Sequence, residues 1–407
     1  MIRQSVNSMT IFLGIVLSIS AGDWCSDSLG VDPTTMSKEL LFIREGGNKP
    51  FTVFLDTTDT AFSDPTAGSI LHKGRTILLE YIRTGQFGQF KAFDNKIIRY
   101  VLFAPPDGVP VRAVMPMIHG FQECFLDFSE MLYNFRFLRE KGFAFALADL
   151  RGHGFSDRLL DDPQRGHVNR FDDYLRDHKT FMDILIKKFG SDVPYVLYGH
   201  SLGGWIAARY CETYPEQFAG CILSAPMLNF HTGFPDWLEG MLIACGTIFG
   251  RNRYTLGQKP WVPWQYESHF LSDCPERIRY KNFLRCIYPE VRLGGATWNW
   301  VYRGVKACRN VLKKQNASRL QKIDLLILEA PDDHHVQPEY NEKLVRYAGG
   351  EIRRYYSTSP TGMKIGAQHQ LYDHREEIRD KVIGDIVAFL EEMSVTGSSN
   401  PEQSNTD

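Results

Sequence analysis

The stretch YVLYGHSLGGWIAAR, residues 195–209, decides the fold. A short apolar run (Tyr195, Val196, Leu197, Tyr198) reads as a buried strand. It meets Gly199-His200-Ser201-Leu202-Gly203, and a segment rich in helix formers follows. Strand, Gly-x-Ser-x-Gly turn and helix, in that order, make a nucleophile elbow, a sharp turn that exposes one serine. Side chains two residues either side of the serine would clash, so Gly199 and Gly203 must be glycine, and Gly204 lets the helix lie close to the strand. The Ser201 hydroxyl then stands at a helix N-terminus, whose dipole favours a developing negative charge. The bare five-residue pattern is weak, and a glycine-rich turn with an idle serine would also produce it. Its place between strand and helix patterns gives it weight.

Outward from the elbow, apolar runs alternate with helical patterns. Upstream, residues 97–103, 113–118 and 143–148 read as strands, and 128–141 (closed by Gly142) and 171–189 as helices. Residues 78–82 read as a strand paired with 97–103 in a hairpin. Downstream, 220–223, 323–329 and 352–356 read as strands, with helices at 338–348 and 379–393. This alternation predicts an α/β fold with a doubly wound, mostly parallel sheet covered on both faces. From 229 to 314 the rhythm breaks into a segment rich in Trp, Tyr, Phe and Pro, expected to be an inserted helical lid. The expected plan is a leader at 1–22, an irregular segment at 23–77, the main domain at 78–394 and a disordered polar tail at 395–407.

The 407 residues are 43% hydrophobic and 23% charged, with a net charge of −2. That balance provides no footprint for nucleic acid. The apolar stretch 9–21 follows a weakly positive start and precedes small residues, as in a secretory signal peptide. It is shorter than the about 20 apolar residues that span a bilayer. Export is therefore expected, with an uncleaved N-terminal anchor or a place on the cytoplasmic face of a membrane as the alternatives. None of the eight cysteines forms a Cys-x-x-Cys pair, which argues against zinc and thioredoxin-like sites. Cys211 and Cys221 read as core, whereas Cys245, Cys274, Cys286 and Cys308 fall in one region, where export would permit a disulfide. His334-His335 lacks a third ligand at sensible spacing, so neither a metal nor a cofactor is expected.

A serine hydroxyl needs an adjacent base to become a nucleophile. Histidine suits that task, and a carboxylate must fix its tautomer. At an elbow of this kind the chain order is Ser, then Asp or Glu, then His. Asp333, after the strand 323–329, is the expected carboxylate, with Asp332 the alternative; Glu329 comes too early. His369 precedes the final helix and is the expected base. In open α/β sheets chemistry gathers at the carboxyl ends of the strands. Gly120, Asp149, Ser201, Asp333 and His369 all lie there. The oxyanion hole is expected from the backbone N–H groups of Leu202 and Phe121, with Glu123 either tying the Gly120 loop down or solvated.

These residues carry a resemblance. The chain resembles the lysophospholipase L2 / monoacylglycerol lipase group of α/β-hydrolases, grouped with the serine aminopeptidase S33 type. The resembling segments are His119-Gly120-Phe121-Gln122-Glu123, Asp149-Leu150-Arg151-Gly152-His153-Gly154-Phe155-Ser156, Gly199 to Gly204, and Ala225-Pro226-Met227. The stretches DPQRGHVNRFDDY (162–174) and VRLGGATW (291–298) are similar to the lysophospholipase L2 branch. The likeness runs from about residue 81 to 393 and departs at the leader and at Pro331-Asp332-Asp333-His334-His335, where an acid followed by Arg is more usual.

The resemblance implies hydrolysis of a carboxylic ester in a single-chain lipid, a lysophospholipid or a monoacylglycerol, through an acyl-enzyme on Ser201. It implies a lipid ester partner and peripheral membrane contact. Phe230, Phe234, Trp237, Leu238, Met241, Leu242 and Ile243 are expected to form either an acyl channel or lid core, and Arg251 and Arg253 to meet a headgroup phosphate. The alternatives are an S33-type aminopeptidase, which needs an acidic cluster for the substrate ammonium, a general carboxylesterase, and an inactive interaction protein of the same fold. Relatives with an aspartate nucleophile are excluded by Ser201.

Overall fold

Strands that are apolar at every position bury both faces, and such strands build the centre of this molecule. The computed structural model describes residues 70–396 apart from 235, 265–269 and 360. Eight strands form one sheet: β1 (Gln86–Lys91), β2 (Ile97–Phe103), β3 (Ala113–Ile118), β4 (Phe143–Ala148), β5 (Val196–His200), β6 (Gly220–Ser224), β7 (Asp324–Glu329) and β8 (Glu351–Arg354). Their order is β1-β2-β4-β3-β5-β6-β7-β8. β2 is antiparallel to β1 and to β4, and every other neighbouring pair is parallel. Register sets Gly199 of β5 beside Ile118 of β3 and Leu223 of β6, which brings three carboxyl ends level.

In chain order the described α-helices of five residues or more are α1 (Ile70–Thr84), α2 (Ser129–Asn134), α3 (Arg136–Glu140), α4 (Asp172–Phe189), α5 (Leu202–Thr213), α6 (Asp236–Gly250), α7 (Pro275–Ile287), α8 (Trp298–Val311), α9 (Glu339–Ala348) and α10 (Glu376–Thr396). They cover both faces of the sheet. Val196 and Tyr198 of β5 belong to one core with Leu326 and Leu328 of β7, while Leu197, Leu325 and Ile327 belong to the other. The period of two along a strand sends neighbours to opposite faces. The expected doubly wound α/β architecture is what the chain adopts.

Three details differ from the sequence reading. Residues 78–82 are not a strand; they lie in α1, where Ile77, Leu78 and Tyr81 are buried at helical spacing. A five-residue apolar run does not carry enough of a period to choose between helix and strand. The true partner of β2 is β1, whose sequence QFGQFK hides an edge strand. The stretch 128–141 is broken into α2 and α3 at Phe135. The strand expected at 352–356 ends at Arg354, and Tyr356–Thr358 pairs instead with Lys364–Gly366 in a separate two-stranded sheet.

Between β6 and β7 the insertion contributes α6, α7 and α8 and straddles the sheet. Tyr280, Phe283 and Leu284 of α7 join the first core, and Trp300, Val301 and Cys308 of α8 join the second. Cys245, Cys274 and Cys308 are free thiols while Cys286 is disulfide-bonded, so no bridge links these four to one another. Among the described residues no helix is long and apolar enough to cross a membrane. The expected leader at 1–22 lies outside the described residues, as does the tail beyond Thr396, the last residue of α10.

Candidate active site

The elbow is strained and over-determined. Ser201 has φ 53° and ψ −117°, a conformation that costs a side-chain-bearing residue on the order of 1–3 kcal/mol. Its N–H donates to the Ser224 carbonyl at 3.0 Å, and its carbonyl accepts from the Met227 N–H at 2.9 Å. A Cβ on Gly203 would stand 2.1 Å from the Ile118 oxygen, and one on Gly199 would stand 2.3 Å from the Gly203 oxygen. Backbone occupies both spaces, so neither glycine tolerates a side chain.

The turn delivers the serine to a hydrogen-bonded chain. Ser201 Oγ lies 2.9 Å from His369 Nε2, and His369 Nδ1 lies 2.6 Å from Asp333 Oδ2. An ionised carboxylate only accepts, so Nδ1–H donates to it and Nε2 is left to accept the serine proton. The second oxygen of Asp333 accepts the N–H groups of His335 at 2.8 Å and Val336 at 3.0 Å. Burial alone would raise the Asp333 pKa, but the His369 contact and these two N–H groups hold it below the usual carboxylate range. Asp332 points elsewhere: its half-exposed carboxylate stands 3.6 Å from His334.

Gly120 closes the other side of the site. A Cβ there would come within 3.1 Å of Ser201 Cβ and 2.9 Å of Glu123 Oε2. Leu202 opens α5, so the helix supplies no acceptor for its N–H. Below this loop His119 accepts the Leu150 N–H on Nε2 at 3.0 Å and hydrogen-bonds the Gly120 carbonyl through Nδ1 at 2.8 Å; burial pushes its pKa down. Asp149 supports the site from beneath and does not line the cavity. It accepts the N–H groups of Phe125 at 2.6 Å and Phe155 at 2.7 Å, and burial pushes its carboxyl up to about 8.

Sequence reasoning leaves Glu123 open between a tie for this loop and a solvated acid, and it misses the partners that hold Glu123. Glu123 is buried, and its Oε2 accepts the Gly120 N–H at 2.7 Å, so it ties the loop down. Its other oxygen meets Lys281 Nζ at 2.9 Å and Gln370 Nε2 at 3.0 Å. Lys281 also pairs with Asp373 at 2.6 Å. Burial opposes the Glu123 charge, but Lys281 and His200 hold its pKa well below the carboxylate range. Burial likewise opposes the Lys281 charge, yet Asp373 and Glu123 keep the ammonium above its ordinary range. His200, next to the nucleophile, contacts the Ser224 carbonyl through Nδ1 at 3.2 Å, and burial lowers its pKa to about 4. The one signal for Lys281 is its spacing of four from Arg277 and Arg285 along α7, which on its own reads as a solvated face.

A cavity of about 410 Å³ opens onto Ser201 and His369. Met227, Phe230, Trp261, Trp264, Leu271 and Trp300 give it apolar walls, and Gln258 and Lys259 add polar ones. Of the expected channel residues only Phe230 lines it. Ile243 is buried in the core, Phe234 stacks on Trp298, and Trp237 and Met241 face solvent. Arg251 and Arg253 are likewise absent from its walls. Trp261 and Trp264 come from the irregular segment after α6, whose lack of helical period concealed them, and Trp300 comes from α8. The stretches 162–174 and 291–298 meet beside the site: the Gly166 N–H bonds the Gly295 carbonyl at 2.9 Å, and the Thr297 N–H bonds the Gly166 carbonyl at 2.8 Å. Gly166 packs so closely on Phe121 that a Cβ would lie 2.3 Å from its ring.

The chain is similar to known proteins over most of its length. The chain is 25% identical to lysophospholipase L2 of Escherichia coli strain K12 over 337 residues, covering 82% of this chain and 94% of that protein. It is 27% identical to a probable lysophospholipase L2 of Haemophilus influenzae over 286 residues, covering 70% and 85%. The fold matches a soluble variant of monoglyceride lipase from Saccharomyces cerevisiae with a TM-score of 0.57 at 19% identity, over 75% of this chain and 94% of that one. The family described as serine aminopeptidase, S33, matches residues 109–359, which span the elbow, the insertion and Asp333. The sheet, the elbow and this match together assign the chain: it belongs to the serine aminopeptidase S33 family of α/β-hydrolases.

Proposed function

We propose that this protein is a serine hydrolase that cleaves the carboxylic ester of a single-chain lipid, a lysophospholipid or a monoacylglycerol. The observation that carries this reading is the chain Ser201–His369–Asp333 opening onto the tryptophan-walled cavity. Similarity to lysophospholipase L2 over most of both chains supports the substrate class.

The geometry suits acyl transfer. Ser201 Oγ attacks the ester carbonyl carbon while His369 Nε2 takes the hydroxyl proton. Asp333 holds the imidazole in its tautomer and stabilises the imidazolium. The tetrahedral oxyanion rests on the N–H groups of Leu202 and Phe121. Collapse breaks the bond to the leaving alcohol, which takes the proton from His369. Water then attacks the acyl-enzyme, gives its proton to His369, and frees the fatty acid and the serine.

An aminopeptidase reading is disfavoured by charge. Among the described residues that line the cavity, Glu123 is the one acid, and it is already committed to Lys281, Gln370 and the Gly120 N–H. The test is a panel of lysophosphatidylcholine, monoacylglycerol, a short nitrophenyl ester and an aminoacyl amide, with wild type, Ser201→Ala, Asp333→Asn and Asp332→Asn. Single-chain esters are expected to be turned over, Ser201→Ala to be inert, and Asp333→Asn to lose about 10⁴ in turnover, with Asp332→Asn near wild type. Amide cleavage alone would move the protein to the peptidase reading, and a fully active Ser201→Ala protein would end the serine mechanism.

We further propose that it works outside the cytoplasm at a membrane surface. The leader-like stretch 9–21 and the disulfide at Cys286 support export. The outward apolar side chains Trp237, Met241, Ile248 and Phe249 support lipid contact. N-terminal sequencing of protein from its native host is expected to begin near Gly22 or Asp23. An intact Met1 in the soluble cytoplasm would contradict export, and an intact Met1 in the membrane fraction would make the segment an anchor.

A further inference from the structure

Helix α7 of the insertion carries Arg277, Lys281 and Arg285 four residues apart, and all three are buried, at 4%, 4% and 0% exposure. Each meets an acid from the segment that follows β3. Lys281 pairs with Glu123 at 2.9 Å, and Arg277 with Glu130 at 2.9 Å. Arg285 grips both oxygens of Asp127 at 2.8 and 2.9 Å. Burying one such charge is strongly unfavourable unless it is paired and hydrogen-bonded. A row of three matched pairs therefore marks a fixed docking.

Two of these contacts run straight to Phe121, the residue placed above at the oxyanion hole. On its N-terminal side Lys281 holds Glu123, whose other oxygen accepts the Gly120 N–H. On its C-terminal side Arg285 Nη2 donates to the Gln122 carbonyl at 2.7 Å. Gln122 itself sits at φ 64°, a conformation that needs outside support. Lys281 also reaches Asp373, and Gln370 reaches Glu123, so the same cluster anchors the loop that follows His369.

We propose that Lys281 and Arg285 are positioning residues, which through Glu123 and the Gln122 carbonyl set the Gly120–Phe121 peptide against Ser201, so that the oxyanion hole is complete only while α7 of the insertion stays docked. This rests on the serine-hydrolase reading. It adds that the insertion completes the catalytic machinery as well as walling the cavity.

The test uses Glu123→Gln, Lys281→Met and the double variant in the full chain, with a trifluoromethyl ketone of an acyl chain as the probe. That ketone adds the Ser201 oxygen to its carbonyl and leaves an oxyanion in the hole. Its inhibition constant does not depend on what fraction of a preparation is folded, so a merely structural loss leaves it unmoved. Glutamine is isosteric with glutamate but has one acceptor oxygen, so it cannot serve both Lys281 and the Gly120 N–H.

Removal of one oxyanion donor costs about 10²–10³ in turnover, and a displaced donor is expected to cost at least about 10-fold. Each single variant should weaken the ketone and lower kcat by such a factor while KM stays near wild type. The double variant should be no worse than the poorer single one, because both act through one link. An unchanged inhibition constant and kcat in folded Lys281→Met, or in Glu123→Gln should Lys281→Met not fold, overturns the proposal. Failure of the ketone to inhibit wild type would instead remove the serine-hydrolase reading, and this inference with it.

Discussion

Helices α6 and α7 belong to one insertion and are patterned in opposite ways. α6 is almost free of charge, yet it turns Trp237, Ile248 and Phe249 outward at 82%, 74% and 83% exposure. α7 is rich in charge and buries three of its cations, Arg277, Lys281 and Arg285. Neither follows from composition. α7 is wedged between the segment after β3 and the loop before α10, where Glu123, Asp127, Glu130 and Asp373 supply a partner for each buried cation. Among the described residues α6 packs against α8, where Gly246 lies against the Trp298 ring. Charge can be buried when each group is matched, and apolar side chains stay outside when another surface serves as their partner. On this reading one helix fastens the insertion to the site and the other faces the lipid.

The contrast is tested hardest by Arg285→Met. It leaves Asp127 charged and buried, and is expected to cost about 3–5 kcal/mol of unfolding free energy in urea titration. A loss below about 1 kcal/mol would mean that the charge row is no anchor.

A smaller effect is expected from pH. The folded state holds Glu123 below its ordinary value of 4.5. Its contribution to stability is therefore fully present above that value and is lost as pH falls through the folded pKa. Melting temperatures measured downward from neutrality should drop more steeply below pH 4.5 for wild type than for Glu123→Gln. Parallel curves would mean that Glu123 is not held by Lys281.

The smallest change in stability belongs to α6. Trp237→Ser combined with Phe249→Ser should shift stability by no more than about 0.5 kcal/mol and leave hydrolysis of a soluble ester intact, while vesicle co-sedimentation falls. An unfolded double variant would show that this face is core after all.

The legible parts of the molecule are those whose signal is local. β3 to β7 are continuous apolar runs, and a run bounded by turns reads as a buried strand. Ser201, Asp333 and His369 were placed by chain order after those strands, and the structure joins them by hydrogen bonds of 2.6 and 2.9 Å. What stayed hidden depends on distant partners. Asp332 and Asp333 are identical in type, and only the backbone direction after β7 aims one of them at His369. Lys281 lies 158 residues from Glu123, so nothing local separates it from a solvated lysine. The cavity tryptophans Trp261 and Trp264 sit in irregular chain that no periodicity marks.

The most direct measurement is the site of covalent labelling by an alkyl fluorophosphonate, read by peptide mass mapping in the presence and absence of a lysophospholipid. A single adduct on Ser201 is expected, slowed by the lipid and absent from Ser201→Ala. No adduct on a folded protein, or an adduct elsewhere with hydrolysis undiminished in Ser201→Ala, would contradict the assignment of Ser201 as the nucleophile.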